Sequence, residues 1–142
     1  MIALLDYGAG NVRSVQKALT AAGGAVELVA LPEGVAAADA VGLPGVGAFD
    51  DCVNAMQAQE LLSAAKGFIA TGKPFLGICV GYQALFERSE EFNSCAAGLG
   101  VFEGSVVRFA KNGIKVPQIG WNEVHFEKPD CPILEGIESG SH

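Results

Sequence analysis

"PFLGICVGYQALF", residues 74–86, runs from an unbroken apolar stretch through a glycine-bracketed cysteine into residues spaced like one face of a helix. A short apolar run closed by a turn reads as a buried strand. Tyr82, Leu85 and Phe86 then recur at helical spacing, so the segment predicts a strand passing at once into a helix that carries those three side chains inward. At such a junction the middle residue is forced into strained backbone and its side chain stands clear of the sheet. Glycines on either side let neighbouring backbone pass without a Cβ clash. Gly77-Ile78-Cys79-Val80-Gly81 is, in these terms, a nucleophile elbow written with sulfur. The helix N-terminus behind it favours a thiolate, and ligands bind at the carboxyl ends of strands in open α/β sheets. A buried structural cysteine in a Gly-rich turn is the other reading of the same five residues.

The flanking sequence predicts the sheet around this turn. "MIALLDY" is a short apolar strand broken by "GAGN", after which Val12, Val15, Ala18, Leu19 and Ala22 follow helical spacing until Gly23-Gly24. "AVELVA" (25–30) and "AVGLPG" (40–45) read as strands, and Leu61, Leu62, Ala65, Phe68 and Ile69 trace a helical face closed by "TGKP". Strands alternating with helices imply an α/β fold with a mostly parallel sheet covered on both faces. Beyond about residue 100, "VFEGSVVRFA" and "WNEVHFE" alternate around "KNGIKVPQIG", which predicts antiparallel additions at one side of that sheet. With no repeat, low-complexity tract or linker, residues 1–142 are expected to form a single domain.

Composition narrows the function. The chain has 142 residues, half of them hydrophobic and 18% charged, enough to bury a core and too apolar for disorder. A net charge of −7 argues against nucleic acid as the main partner. Apolar stretches are interrupted before they could span a bilayer, and the N-terminus lacks a basic region and meets Asp6, so neither membrane nor signal peptide is expected and the chain is placed in the cytoplasm. Four cysteines without a C-x-x-C pair give no zinc spacing, so no metal is expected; Cys52, Cys95 and Cys131 read as small buried hydrophobes.

Two glycine-containing loops have a chemical reading. "LPGVGAF" (43–49) closes a strand and can present backbone N–H groups to a developing oxyanion, although alone it is equally an ordinary tight turn. In "GAGNVRS" (8–14), Gly8 and Gly10 sit between strand and helix, but the third glycine of a dinucleotide loop is missing and no acidic residue closes a following strand, so no nucleotide cofactor is expected.

Taken together, "DYGAGNVRSV", "LPGVGAF", "KPFLGICVGYQALFERSEE" and "KVPQIGWNEV" resemble the glutaminase subunits of imidazole glycerol phosphate synthase, a branch of the class I (triad) glutamine amidotransferases. The resemblance covers the whole chain in order. It implies a flavodoxin-like three-layer sandwich and no cofactor. It makes Cys79 the nucleophile that opens the side-chain amide of L-glutamine, with backbone N–H groups of the Val46-Gly47 loop and of Val80 as the oxyanion hole. Gln83 and Glu91 would grip the amino-acid end of the substrate. The ammonia would pass to a (β/α)8 synthase partner, in a heterodimer making imidazole glycerol phosphate and AICAR for histidine biosynthesis. Trp121 would anchor that interface, flanked by Asn11 and Asn122. One position departs from the family pattern: Gln118 stands where the family has His.

A thiol nucleophile of this kind needs a base and the base an orienting group; the family supplies them from a His-Pro-Glu motif. Here the histidines are His125 and His142, and neither precedes Pro-Glu. The chain is therefore expected to be a C-terminally truncated amidotransferase domain, lacking turnover and leaving hydrophobic surface open. Alternatives are another triad amidotransferase, such as those of pyridoxal phosphate, carbamoyl phosphate or guanylate synthesis, an α/β protein whose elbow thiol senses peroxide, and a catalytically silent scaffold.

Overall fold

The computed structural model describes residues 1–110, 113, 115–117 and 119–142, so Gln118 lies outside the described residues. In chain order the elements are β1 (Ile2–Leu5), α1 (Val12–Ala21), β2 (Val26–Val29), α2 (Pro32–Ala36), β3 (Ala40–Gly45), α3 (Phe49–Ala58), α4 (Leu61–Ala70), β4 (Phe75–Cys79), α5 (Val80–Gln83), β5 (Phe86–Ser89) and β6 (Phe102–Val106). Residues 1–108 and 109–142 form two compact units.

The first unit is built on a four-stranded sheet of order β2-β1-β3-β4, every pair parallel. Parallel neighbours need crossover connections, and the helices between successive strands supply them. Strand alternation sorts the two faces. Ala3, Leu5, Val41 and Leu43 point into the main core with Phe49, Val53 and Met56 of α3 and Leu61, Ala65 and Phe68 of α4. Leu4 is fully buried on the opposite face, where Leu4 and Leu19 of α1 converge over Gly42. Helices thus cover both faces, giving the expected three layers.

Local chemistry sets the element ends. Asn11 caps α1, its side chain accepting from the Ser14 N–H at 3.3 Å, and Gly23 at φ 92° lets the chain leave the helix. The hydroxyl of Thr71 donates to the Phe68 carbonyl at 2.6 Å and Gly72 turns at φ 76°, closing α4.

Three expectations are corrected. The helix after Cys79 is one turn long: Tyr82 is half exposed, Leu85 alone of the three named side chains is buried, and Phe86 already belongs to β5. Tyr82, Phe86 and Phe102 instead form a ring cluster with centroids 5.6–6.4 Å apart. The 74–79 strand is only partly buried, Leu76 being 50% exposed, because β4 is the edge of the sheet and pairs only with β3 among the described residues. Last, β5 and β6 pair parallel in a separate two-stranded sheet, and antiparallel pairing among the described residues is confined to the bridges Arg88–Ala97 and Val124–Ser141.

The second unit is largely irregular. The Val124–Ser141 bridge, with the Gly140 N–H donating to the Val124 carbonyl at 2.9 Å, and a 3₁₀ turn over Pro132–Leu134 are its regular features. "WNEVHFE" therefore contributes a bridge residue rather than the strand its alternation suggested.

Candidate active site

At Cys79 the backbone adopts φ 56°, ψ −119°, outside the regions open to side-chain-bearing residues without strain. β4 ends on this residue and α5 begins on the next. The glycines on both sides are required by close approach. A Cβ on Gly77 would lie 2.7 Å from Tyr82 Cα and 2.8 Å from the Gly81 carbonyl oxygen. One on Gly81 would drive into the Leu43 carbonyl, and one on Gly45 into the Gly81 amide. The elbow is laid directly on β3, and its thiol projects into solvent. Of the two readings of the motif, the buried structural cysteine is excluded. With only four residues, α5 carries a small fraction of a full helix dipole, so presentation of the thiol rests on the backbone turn more than on the helix end.

The β3–β4 register places Gly45 opposite Cys79. Val46 and Gly47 come next, both exposed, with Gly47 at φ 85°. No atom lies closer to a Cβ built at Gly47 than Asp51 Oδ2 at 3.9 Å, so conformation rather than space demands glycine there. Val80, whose N–H begins α5, is buried. Cys79 and the 45–47 segment lie side by side at the carboxyl ends of neighbouring parallel strands. With strand order β2-β1-β3-β4 the order switches between β1 and β3, so the β3 end that carries this loop borders the switch point and Cys79 lies one strand beyond it.

The other named residues are dispersed. Gln83 is the half-buried last residue of α5. Glu91 begins a 3₁₀ turn, donates its N–H to Ser89 Oγ at 3.1 Å, and lines a cavity of about 200 Å³ with Ala48, Phe49, Asp50, Asp51, Phe92 and Ser94. Gln83 is not in that lining. In the second unit Trp121 is 87% exposed, which excludes a core role. The Asn122 amide donates to the Gly120 carbonyl at 3.4 Å. His125 is exposed and pairs with Glu123 at 3.1 Å; His142 is exposed as well.

Of the remaining cysteines only Cys52 is a buried hydrophobe. Cys95 is exposed because its loop is held from the other direction: its N–H donates to the Asp50 carboxylate at 2.9 Å, leaving the thiol outside. Cys131 is half-buried in the irregular second unit. Among the described residues no group of three His, Cys, Asp or Glu side chains is placed to hold a metal, and no helix is long and apolar enough to cross a membrane.

Two further polar residues meet the site without having been singled out. Tyr7, just beyond β1, is buried and donates its hydroxyl to the Pro44 carbonyl at 2.7 Å; its own carbonyl accepts from Gln59 Nε2 at 2.9 Å. Burial, reinforced by the neighbouring Cys52 thiol, raises the phenol far above its usual range, and burial likewise raises Cys52, so both stay neutral. Asp50, at the start of α3, accepts from the Ser94 hydroxyl and from the N–H groups of Cys95 (2.9 Å) and Ala96 (3.4 Å). Those bonds, that of Ser94 foremost, lower its carboxyl below the usual range. The available signals were slight: an Asp in the first turn after a glycine loop, and a tyrosine just past a strand.

The family model for glutamine amidotransferase class-I matches residues 3–136. The chain belongs to that family. It is 45% identical over 134 residues, 94% of its length, to the imidazole glycerol phosphate synthase subunit HisH of Acaryochloris marina. It is 44% identical over 137 residues to that of Synechococcus elongatus and 43% over 146 residues to that of Syntrophotalea carbinolica. It spans 62% of the length of the first two relatives and 70% of the third. A crystal structure of a glutamine amidotransferase superposes with a TM-score of 0.63 at 21% identity, over 75% of this chain and 56% of that one, a likeness of fold alone. The amidotransferase assignment accounts for the α/β architecture and for an exposed cysteine on a glycine-bracketed turn.

Proposed function

We propose that this class I amidotransferase chain carries the glutamine-opening half of a glutaminase subunit of imidazole glycerol phosphate synthase, built as one domain over residues 1–142. The observation that carries the reading is the Cys79 turn, with its strained backbone and exposed thiol, opposite Gly45 at the root of the Val46-Gly47 loop. The Cys79 thiolate attacks the side-chain carbonyl carbon of L-glutamine, and the carbonyl π electrons move to oxygen. Backbone N–H groups of the Val46-Gly47 loop and of Val80 hold that oxyanion. Collapse breaks the C–N bond, ammonia leaves carrying the proton that the Cys79 thiol gave up on becoming a thiolate, and a glutamyl thioester remains. Water then attacks the thioester, giving glutamate and the free thiol, so glutamine and water become glutamate and ammonia.

Glu91, in its cavity beside the start of α3, suits the α-ammonium of the substrate, and Gln83 the α-carboxylate. Neither His125, exposed and paired with Glu123, nor His142 is assigned as the base. The relatives' names make them subunits of a synthase; the partner proposed here is a (β/α)8 cyclase that consumes the ammonia in the cytoplasm. The residues proposed to contact it are exposed in each unit taken by itself, Asn11 in the first and Trp121 and Asn122 in the second.

The test is covalent. A chloroketone analogue of glutamine, with a chloromethyl ketone in place of the amide, is expected to label Cys79 ahead of Cys95, which is exposed too, and L-glutamine to slow that labelling. Equal labelling of both thiols without protection by glutamine overturns the reading. Ammonia release from the 142-residue chain is expected to be negligible; substantial release abolished by Cys79→Ser contradicts that part.

A further inference from the structure

The loop proposed to hold the oxyanion must keep its N–H groups within a few tenths of an ångström of their working position, because donor strength falls steeply with misalignment. Yet Val46 and Gly47 are exposed, and the ladder that should support their root ends early. β3 pairs with β1 at Ile2–Ala40, Ala3–Val41 and Leu4–Gly42 and no further. Past that point β1 is drawn toward β2, the Asp6 N–H donating to the Val29 carbonyl at 2.9 Å. The Pro44 carbonyl lies two residues beyond the last β1 pair, and proline has no N–H of its own to add to the ladder there. The Tyr7 hydroxyl fills that place at 2.7 Å. The same residue also holds the far end of the following element. α3 runs from Phe49, directly after the loop, to Ala58, and its C-cap Gln59 donates to the Tyr7 carbonyl at 2.9 Å.

We infer that Tyr7 is a positioning residue for the oxyanion loop: its hydroxyl fixes the strand entering the loop at Pro44, and its carbonyl, through Gln59, fixes the helix leaving it. Residues 44–59 are closed into a ring whose two ends meet on one buried residue, one end on its hydroxyl and the other on its main-chain carbonyl. The phenol is neutral and hydrogen-bonded, so it acts by geometry and not by proton transfer. The inference rests on the proposed glutaminase chemistry and adds to it a residue whose hydrogen bonds go to Pro44 and Gln59 at the two ends of the loop segment.

The test uses the full 142-residue chain and compares two reagents at Cys79. The chloroketone analogue of glutamine reacts by addition of the thiolate to its carbonyl, whose oxyanion the loop stabilises, after which the sulfur takes the adjacent CH2, chloride leaves and the carbonyl re-forms. Iodoacetamide loses iodide by direct displacement at its CH2 and needs no such donors. Tyr7→Phe keeps the ring and removes the hydroxyl. Its chloroketone rate is expected to fall about tenfold, with the iodoacetamide rate at Cys79 unchanged. Loosening of the elbow itself would change both rates alike, and that result, or an unchanged ratio, overturns the inference. If Tyr7→Phe does not fold, Gln59→Leu decides: it breaks the other end of the ring from a half-buried position and is expected to shift the ratio in the same direction. A wild-type chain with no preference for the chloroketone sinks the glutaminase reading, whereas a wild-type preference retained in the variants sinks only the role of Tyr7.

Discussion

Gly81 lies directly on the backbone of Leu43, so closely that any Cβ at residue 81 would drive into the Leu43 carbonyl oxygen. Leu43 sits mid-strand in β3, paired with Gly77 on β4, and its backbone has no freedom to retreat. Gly81→Ala is therefore expected to cost at least about 3 kcal/mol, at the upper end for overpacking against a fixed neighbour. Gly67 gives the contrast. It lies within α4 with nothing within 4 Å of a built Cβ, so Gly67→Ala is expected to add roughly 0.5–1 kcal/mol. Urea unfolding of the two variants separates them; similar midpoints would show that the elbow is not packed on β3 as described.

Strain at the nucleophile has its own signature. Cys79 is held at φ 56°, ψ −119°, a conformation that glycine adopts freely and other residues adopt at a cost of about 1–3 kcal/mol. Since the thiol is exposed, its removal loses little packing. Cys79→Gly is expected to be more stable than Cys79→Ala by about 1 kcal/mol, because only the former relieves the backbone. Equal melting temperatures for the two would mean that the turn stores no strain.

Asp50 links the start of α3 to the loop through Ser94, Cys95 and Ala96, and those donors hold its carboxyl below the ordinary range. A carboxylate depressed in the folded state contributes stability above its unfolded value, about 3.9, and loses it as pH falls through the folded value. Thermal midpoints of the native chain and Asp50→Asn are expected to differ at neutral pH and to converge as pH falls through the lowered folded-state value of Asp50. Asp39, also depressed by its bond to the N-terminal ammonium, titrates in both chains and cancels from the difference. A constant difference from pH 7 downward would remove Asp50 as the acid-sensitive tie.

What could be read from the sequence follows the range of the interactions involved. β3 matched "AVGLPG" residue for residue and α4 carried the apolar face of Leu61, Leu62, Ala65, Phe68 and Ile69 up to its "TGKP" stop, because strand runs, helical spacing and glycine stops are local. The elbow was legible for the same reason: its two glycines answer to backbone within a few residues and to one neighbouring strand. Phe86 was misplaced because Tyr82, Leu85 and Phe86 satisfy helical spacing whether or not the helix continues; the contact with Phe102 that draws Phe86 into β5 is set sixteen residues away. Cys95 looked like a core residue because composition carries no sign of the Asp50 carboxylate that holds its loop at the surface. Tyr7 escaped notice for the same reason, its partners Pro44 and Gln59 being 37 and 52 residues distant.

Trp121 is the chain's one tryptophan, so intrinsic fluorescence reports on it alone. At 87% exposure it is expected to emit like a free indole in water and to be quenched efficiently by acrylamide. A large aromatic left in water has no stabilising role in its own unit, and aromatic anchors of this kind carry much of the energy of protein interfaces. Addition of a (β/α)8 synthase subunit is therefore expected to shift the emission to shorter wavelength and to protect it from quencher. Trp121→Ala is expected to weaken association by about 2 kcal/mol or more, roughly thirtyfold, without lowering the melting temperature of the chain. An emission already blue-shifted in the isolated chain would place the indole in a core. An exposed indole that stays fully quenchable at saturating partner would move the interface elsewhere and leave Trp121 without a role.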